Sequence, residues 1–482
     1  MRLFIAFFSV ITLVTIAWQF ENWRGRTKWE KWKTEWEAKG EKFDLASVVP
    51  PEVPDDQNFA KSALFQPLFD RDAEGNPRDQ AAHDAAKDRF ALQPAPRDTL
   101  GWRHGQRRDF AAWEAALLKQ DDPPAKGAMP VDTVLAALEP FAAEMASLAN
   151  DVRRPHSQFD IRYEDTFAAL LPHLQVMKTA AKLYSLRASA RLAKGDTATA
   201  LRDTVTTIRL AESFAKEPLL ISQLVRVAIL QIAMQPFWEG AIDYKWSAAH
   251  LASLREALQP INLMEGTARC FRGERNMINH WIDRVNGGGT EAAKELKMVT
   301  NETIPAGVGM PQGWLYQNQF HINRMVTEII LPSIDLKNRR LAAKGFNSLD
   351  EEVRVMMEGF TPYHFVAAML LPAYDRMGIK MSAGQAAVDQ ALIVTALESH
   401  RLAKGGYPAS LDAVTPEWLA TVPGDWFSDA GLVYRPNADG TFTLYSIGYN
   451  ETDDGGQYVF GEDRHKPIQD EEGDWPWPSA AE

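Results

Sequence analysis

The densest group of side chains that could do chemistry lies on one predicted helix, at residues 266–285. Its charged and imidazole members are Arg269, Arg272, Glu274, Arg275, His280, Asp283 and Arg284. Several of them stand three or four residues apart, and this spacing predicts ion pairs along one face of the helix. The alternative is an anion site, because forked guanidinium groups bind carboxylates and phosphates well. In that case Arg272, Arg275 and His280 would be the binding residues.

A polar pocket near Arg272, Glu274 and His280 is also where an enzyme of this sequence would have its site. Motifs with a known mechanism do not support one, since the chain has no phosphate loop, no HExxH, no GxSxG and no paired CxxC. The run Ser213-Phe-Ala-Lys216 fits S-x-x-K, but its companion motifs are missing and chance explains it. No catalytic residue is predicted, and the sequence favours a protein that is not an enzyme.

The composition limits the classes of partner and cofactor. The 482 residues carry a net charge of −12, which argues against a nucleic-acid partner, since phosphate backbones require a basic face. Hydrophobic residues make up 45% of the chain and can supply a globular core. The single cysteine, Cys270, excludes an internal disulfide and is interpreted as a buried apolar residue. No cofactor is predicted with certainty.

The N-terminus has the composition of a membrane anchor. Residues 3–18 contain no charge, and with Phe20 the segment approaches the ~20 residues that span a bilayer. A signal peptide is the alternative, but no small-residue cleavage site follows, and a core helix would show a polar stripe. We therefore expect an uncleaved transmembrane helix at 1–20, with the lipid bilayer contacted through residues 3–20. Basic residues follow this segment, and the positive-inside rule would then place the bulk of the chain in the cytoplasm.

The remainder reads as a mainly α chain of several parts. Trp29, Trp32 and Trp36 recur at helical spacing, which predicts a juxtamembrane helix within 21–45 whose stripe packs on the protein or on the membrane interface. Residues 46–160 are Pro-rich, irregular and partly helical, and the basic run 103–108 is interpreted as a solvated surface. Amphipathic helices dominate 161–375, including an apolar helix at 219–238 that we expect inside the body rather than in a second span.

The C-terminal part reads as a small α+β module at 382–460, followed by an acidic tail at 461–482. Ser382 has the character of an N-cap for a helix at 383–404, which Gly405 ends. Two apolar segments, 432–435 and 441–447, flank a turn with Asp439-Gly440 and predict a hairpin.

The order of these elements resembles a known module. "GGYP" at 405–408, "DWFS" at 425–428 and "SIGYN" at 446–450 follow one another as in the C-terminal domain of the major, G-type pseudopilins of type II secretion. The resemblance implies a long helix packed across a small antiparallel sheet. The segments "WEKWKTEWEAKGEKFD" and "CFRGER" also resemble a group of membrane-anchored bacterial proteins without an assigned activity.

The departures from that family bear on function. Pseudopilins have a Gly-Phe processing site, and their anchor helix runs directly into the module, whereas here hundreds of residues separate the two. A shared fold does not convey a shared activity. We therefore expect an envelope protein of the bacterial inner membrane, single-pass and mostly periplasmic, with a scaffolding or protein-interaction role. The alternatives are the enzyme described above and a secretion component that engages pseudopilins.

The resemblance also implies a calcium site in the loop 449–456. In the G-type pseudopilins the loop after the matching strand binds Ca²⁺, and carboxylate, amide and carbonyl oxygens suit that ion. The candidate ligands in this sequence are Asn450, Asp453 and Asp454, with Gly455-Gly456 permitting a tight return. The alternative is an Asp-Gly surface turn whose charges stay solvated.

Overall fold

The chain starts with one continuous helix, α1 (Arg2–Ala38), in the computed structural model. That structure describes residues 1–72, 75–96, 100–118, 127–288, 294–297, 310–359, 361–461 and 468–480. The predicted anchor and the predicted juxtamembrane helix are therefore two halves of the same rod. No residue between them breaks the helical hydrogen bonding, since the segment contains neither proline nor a positive-φ glycine until Gly40.

Helices form most of the described chain, so the predicted mainly α fold is confirmed. After α1 come α2 (Gln66–Phe69), α3 (Gln80–Asp88), α4 (Phe110–Leu117), α5 (Pro130–Leu138), α6 (Ala142–Asp151), α7 (Pro172–Ala193), α8 (Thr197–Glu212), α9 (Leu220–Ile242), α10 (Ala248–Leu258), α11 (Leu263–Gly287), α12 (Gln312–Arg324), α13 (Ala343–Glu358), α14 (Phe365–Leu370) and α15 (Pro372–Lys404). The strands are β1 (Ile334–Asp335), β2 (Arg340–Leu341), β3 (Val433–Pro436), β4 (Phe442–Ser446), β5 (Tyr458–Phe460), β6 (Ile468–Gly473) and β7 (Trp475–Pro476).

Three consecutive helices, α7, α8 and α9, form the centre of the body. Two residues form the turn between α7 and α8. Gly195 takes φ +80° after the end of α7, and the Asp196 carboxylate caps α8 by accepting from the Thr199 N–H at 3.1 Å. α9 has the length and hydropathy of a membrane span, yet 61% of its apolar window is buried in the body. It packs against α7, α8 and α15, as a core helix does.

The long C-terminal helix, α15, begins eleven residues earlier than the sequence suggests. Its first residue is Pro372, a favoured start because proline lacks the N–H that a first helical turn cannot pair. Ser382 is therefore not an N-cap; it is buried in the helix, and its Oγ donates to the Gly378 carbonyl at 2.9 Å. The predicted end is confirmed, since Gly405 closes the helix with φ +85°.

The C-terminal strands form small antiparallel sheets. The predicted hairpin is present as β3 and β4, paired from Val433–Tyr445 to Pro436–Phe442. β7 pairs with the other edge of β4 and gives the order β3-β4-β7. The tail predicted at 461–482 supplies β7 and also β6, which pairs with β5, so its described part 468–480 is folded; residues 462–467 and 481–482 lie outside the described residues.

Residues 46–160 contribute to the same hydrophobic core as the long helices. Phe65, Phe90 and Trp102 are buried there with residues of α7, α9 and α15. The predicted solvated surface at 103–108 is wrong for Arg103, which is partly buried and pairs with Asp470. Arg107 is exposed as predicted, and it also pairs with Asp243 at 2.6 Å. These side chains tie the segment to β6 and to the loop after α9.

Candidate functional site

The first half of α1 has no protein cover. From Phe4 to Phe20 the large apolar side chains are mostly exposed, and none of the apolar window is buried. Seventeen residues rise about 25 Å at 1.5 Å each, close to the ~30 Å of a hydrocarbon core. Trp23, 63% exposed, stands just beyond the apolar run, where an interfacial aromatic belt would lie. α1 is thus long and apolar enough to span a membrane.

The second half of α1 packs on α12 through a contact between backbones. A Cβ on Gly313 would lie 1.9 Å from the Glu21 carbonyl oxygen, and one on Gly25 would lie 2.2 Å from the Gly313 carbonyl oxygen. Only glycines allow this approach. The Gly313 N–H also donates to Asn22 Oδ1 at 3.0 Å. The body therefore begins at Glu21, the residue directly after Phe20.

The tryptophan stripe extends this contact along the helix. Trp29 and Trp32 are buried with Phe43, and Phe320 of α12 packs against the cluster. Both Trp32 Nε1 and Trp36 Nε1 donate to Glu328 Oε1, at 2.7 and 3.1 Å. The stripe packs on the protein, which was one of the two interpretations of the sequence. The apolar half of α1 and the body are thereby joined by one continuous helix.

The arginines of the predicted anion site meet a carboxylate of the same chain. Arg272 Nη2 lies 3.0 Å from Glu41 Oε1, and Arg275 Nη2 lies 3.1 Å from Glu41 Oε2. Glu41 lies three residues past the end of α1, and its two partners are more than 230 residues away in sequence. The predicted pairing along the helix is wrong for these two arginines; Arg269 does pair with Glu265, at 2.7 Å and four residues apart.

Arg275 is the buried member of this group, with no exposed side-chain area. Its guanidinium also donates to the Lys42 carbonyl at 2.7 Å and to Thr327 Oγ1 at 2.7 Å, and it stacks on the Phe43 ring. Burial lowers the pKa of Arg275 to about 10. Burial alone would raise the pKa of Glu41, but the two arginines outweigh it and hold that pKa below its usual value.

Glu274 and His280, the other residues of the predicted pocket, do not join the pair with Glu41. His280 lies five residues beyond Arg275, about 140° around the helix, so the two do not share a face. Glu274 accepts the Leu220 N–H at 2.8 Å, and burial raises its pKa to about 7. Burial also raises the pKa of Cys270, which is fully buried as expected. The structure thus brings together Arg272 and Arg275, and not His280.

The predicted calcium ligands lie in a loop held by its own hydrogen bonds. Asp453 Oδ1 accepts from the Tyr445 hydroxyl at 2.8 Å and from the Gly455 N–H at 3.0 Å. These bonds lower the pKa of Asp453. Asn450 Nδ2 donates to Asp454 Oδ2 at 2.8 Å. Among the described residues no three His, Cys, Asp or Glu side chains group as metal ligands would, and the calcium site stays a prediction.

A basic cavity was not anticipated from the sequence. It measures about 540 Å³ and lies between the turn after α6 and the end of α8, with Arg153, Arg154, Arg209 and Lys216 in its lining. In the sequence, only the adjacent pair Arg153-Arg154 points to a basic group. Arg209 and Lys216 lie more than 50 residues further along the chain. Ser213 also lines the cavity, but its Oγ donates to the Leu210 carbonyl at 2.7 Å.

Comparisons of the whole chain with protein-family models, with curated proteins and with solved structures found no significant match.

Proposed function

We propose that this protein is a membrane-anchored envelope protein with a scaffolding or protein-interaction role and no chemistry of its own. The observation that carries the proposal is the change in α1 at Glu21. Before this residue the helix is apolar and exposed, and after it the helix is packed against α12. Such a helix serves both as a membrane span and as a structural element of the body.

The stiffness of α1 supports a scaffolding role. A flexible linker would let the body reorient over the membrane, whereas a continuous helix with a glycine–glycine crossing fixes its direction and height. A fixed orientation presents the same surface to other membrane proteins at all times, which lowers the entropic cost of binding them. Other envelope or secretion proteins are the proposed partners.

The proposed location is the bacterial inner membrane, with the body in the periplasm. This side is supported by the resemblance of the C-terminal module to pseudopilins, whose modules are periplasmic. Five basic residues directly after the span argue for the opposite side: Arg24, Arg26, Lys28, Lys31 and Lys33. The resemblance to pseudopilins decides the proposed side of the membrane.

Cysteine labelling in cells tests the location. An Arg354→Cys variant places a thiol on the exposed face of α13, and we expect a membrane-impermeant maleimide to label it once the outer membrane is opened. Native Cys270 is the internal control, because it is buried and should react only after denaturation. Labelling of Arg354→Cys only after the inner membrane is lysed would place the body in the cytoplasm.

Cross-linking in the same cells tests the interaction role. We expect a defined adduct heavier than the 54.0 kDa chain, containing an envelope protein and absent when residues 3–20 are deleted. A chain that remains monomeric in cells at native expression would contradict the interaction role while leaving the anchor untouched.

A further inference from the structure

The basic cavity is bounded by two chain segments that the fold holds rigidly. One wall is the turn after α6, where the Phe59 N–H donates to the His156 carbonyl at 2.8 Å and Arg154 Nη1 donates to the Asn58 carbonyl at 3.0 Å. Asn58 is buried; its Nδ2 donates to the Gln158 carbonyl at 2.9 Å, and its Oδ1 accepts from the Gln158 N–H at 2.9 Å. The cavity is therefore a preformed feature rather than a gap between loose loops.

The opposite wall is the last turn of α8. Glu212 is the one carboxylate in the lining, and it is engaged by Arg226 through contacts of 2.8, 3.0 and 3.0 Å. Arg226 is itself almost fully buried. This ion pair neutralises Glu212, so the carboxylate does not compensate the basic side chains that face the cavity.

Three cations of the lining have no carboxylate partner within the described part of the chain. They are Arg153, Arg209 and Lys216, all exposed, whereas Arg154 pairs with Asp151 at 3.4 Å. The concentration stands out in a protein whose net charge is −12. Like charges held together repel one another, and such a group is stabilised by binding an anion.

Basic residues are often found at helix C-termini, because they interact favourably with the negative end of the helix dipole. Both α6 and α8 finish at the cavity, and each C-terminus carries the equivalent of roughly −0.5 charge. Together these dipoles offset about one unit of positive charge. Three unpaired cations exceed that, so the cavity keeps a positive potential.

We infer that this cavity binds a small ligand with two or more negatively charged oxygen groups, of the phosphate or the carboxylate type. Its volume falls within the ~300–1,000 Å³ that ligand pockets occupy. Arginine forks suit both phosphate and carboxylate oxygens. The site is independent of the membrane anchor and of the proposed interaction role.

Arg153 and Arg209 are the residues on which binding should depend most. Both also line a second cavity of about 690 Å³, which shares them and Glu212 with the first. They therefore stand at the junction of the two spaces, where they reach a ligand in the first cavity and its extension into the second.

Calorimetric titration of the full chain in non-ionic detergent tests the inference, with pyrophosphate and citrate as separate probes. We expect saturable one-site binding of at least one probe, at least tenfold weaker in Arg153→Gln and in Arg209→Gln. Preference for pyrophosphate identifies a phosphate-type ligand, and preference for citrate a carboxylate-type one. Absence of saturable heat with both probes would overturn the inference.

The matched control is Arg354→Gln on α13, which removes the same charge from an exposed position outside the cavity. It should bind the probe as the native chain does. Equal weakening by Arg354→Gln and Arg209→Gln would mean non-specific charge attraction and would contradict a site. Thermal unfolding of each variant without ligand checks that the fold is intact.

Discussion

At the residue scale, Glu41 is the side chain that makes the burial of Arg275 possible. A guanidinium without exposed area needs a counter-charge, and the Glu41 carboxylate supplies it from the segment just after α1. Arg272, which is partly exposed, shares the same carboxylate. The cluster therefore joins the segment just after α1 to α11.

Replacing Glu41 by glutamine should destabilise the protein by roughly 3 kcal/mol, because breaking a buried pair leaves an uncompensated charge. The matched control is Glu265→Gln, which breaks the exposed pair with Arg269 and should cost less than about 0.5 kcal/mol. Denaturant unfolding of the two variants measures the difference. Equal and small effects would contradict the role assigned to Glu41.

The same pair should appear in the pH dependence of stability. The folded-state pKa of Glu41 lies below its usual value of 4.5, so its contribution is present above that pH and is lost as the pH falls through the folded-state pKa. We expect Glu41→Gln to lose less stability than the native chain below pH 4.5. Parallel acid-unfolding curves would contradict the ion pair.

Sequence reasoning at this scale found the arginines but not their partner. Arg272 and Arg275 are conspicuous on a helical pattern, and i, i+4 spacing is the local rule for pairing. Glu41 has no such relation to them, since only the packing of α1 and α11 onto α12 brings it there. The basic cavity was missed for the same reason, because Arg153 and Arg209 are far apart in sequence and only the fold brings them to one cavity.

At the scale of elements, the glycine crossing of α1 and α12 determines how the apolar half of α1 meets the body. Gly25 and Gly313 contact each other's helix backbone, so any side chain there separates the helices. The tryptophan cluster farther along α1 depends on that spacing, because Trp32 reaches both Phe320 and Glu328.

Gly313→Ala should destabilise the protein by about 2 kcal/mol, within the ~1–3 kcal/mol typical of overpacking. Its Cβ would meet the Glu21 backbone, which cannot rotate away. Gly287→Ala in α11 is the matched control, since nothing lies within 4 Å of its Cβ position. Denaturant unfolding followed by tryptophan fluorescence gives both values. An unchanged midpoint for Gly313→Ala would contradict the backbone contact.

Element boundaries show which local signals were sufficient. The β3–β4 hairpin and the end of α15 were predicted because Gly440, Asp439 and Gly405 act there through their own backbone conformations and hydrogen bonds. The start of α15 was not, because a serine resembles a cap wherever it occurs. Gly378 and Gly384 sit inside α15 where Phe346 and Val227 approach closely, so they mark packing contacts rather than breaks.

At the scale of the whole molecule, one helix belongs to two environments. The apolar half of α1 is exposed to the surroundings, while its other half is part of the body. α9 has a similar hydropathy, but most of its apolar window is buried among other helices. The sequence predicted that the helix at 219–238 lies inside the body rather than in a second span, and the burial of α9 confirms this.

The most direct test of the membrane anchor is alkaline carbonate extraction of membranes carrying the full chain or a chain without residues 3–20. The deletion leaves residues 21–38 to pack on α12, so the body should still fold. We expect the full chain to stay in the membrane pellet and the deleted chain to appear in the supernatant. A matched control, Val355→Ser with Met357→Ser, removes exposed apolar side chains from α13 and should stay in the pellet. Release of the full chain without detergent, or retention of the deleted chain in the pellet, would contradict the account.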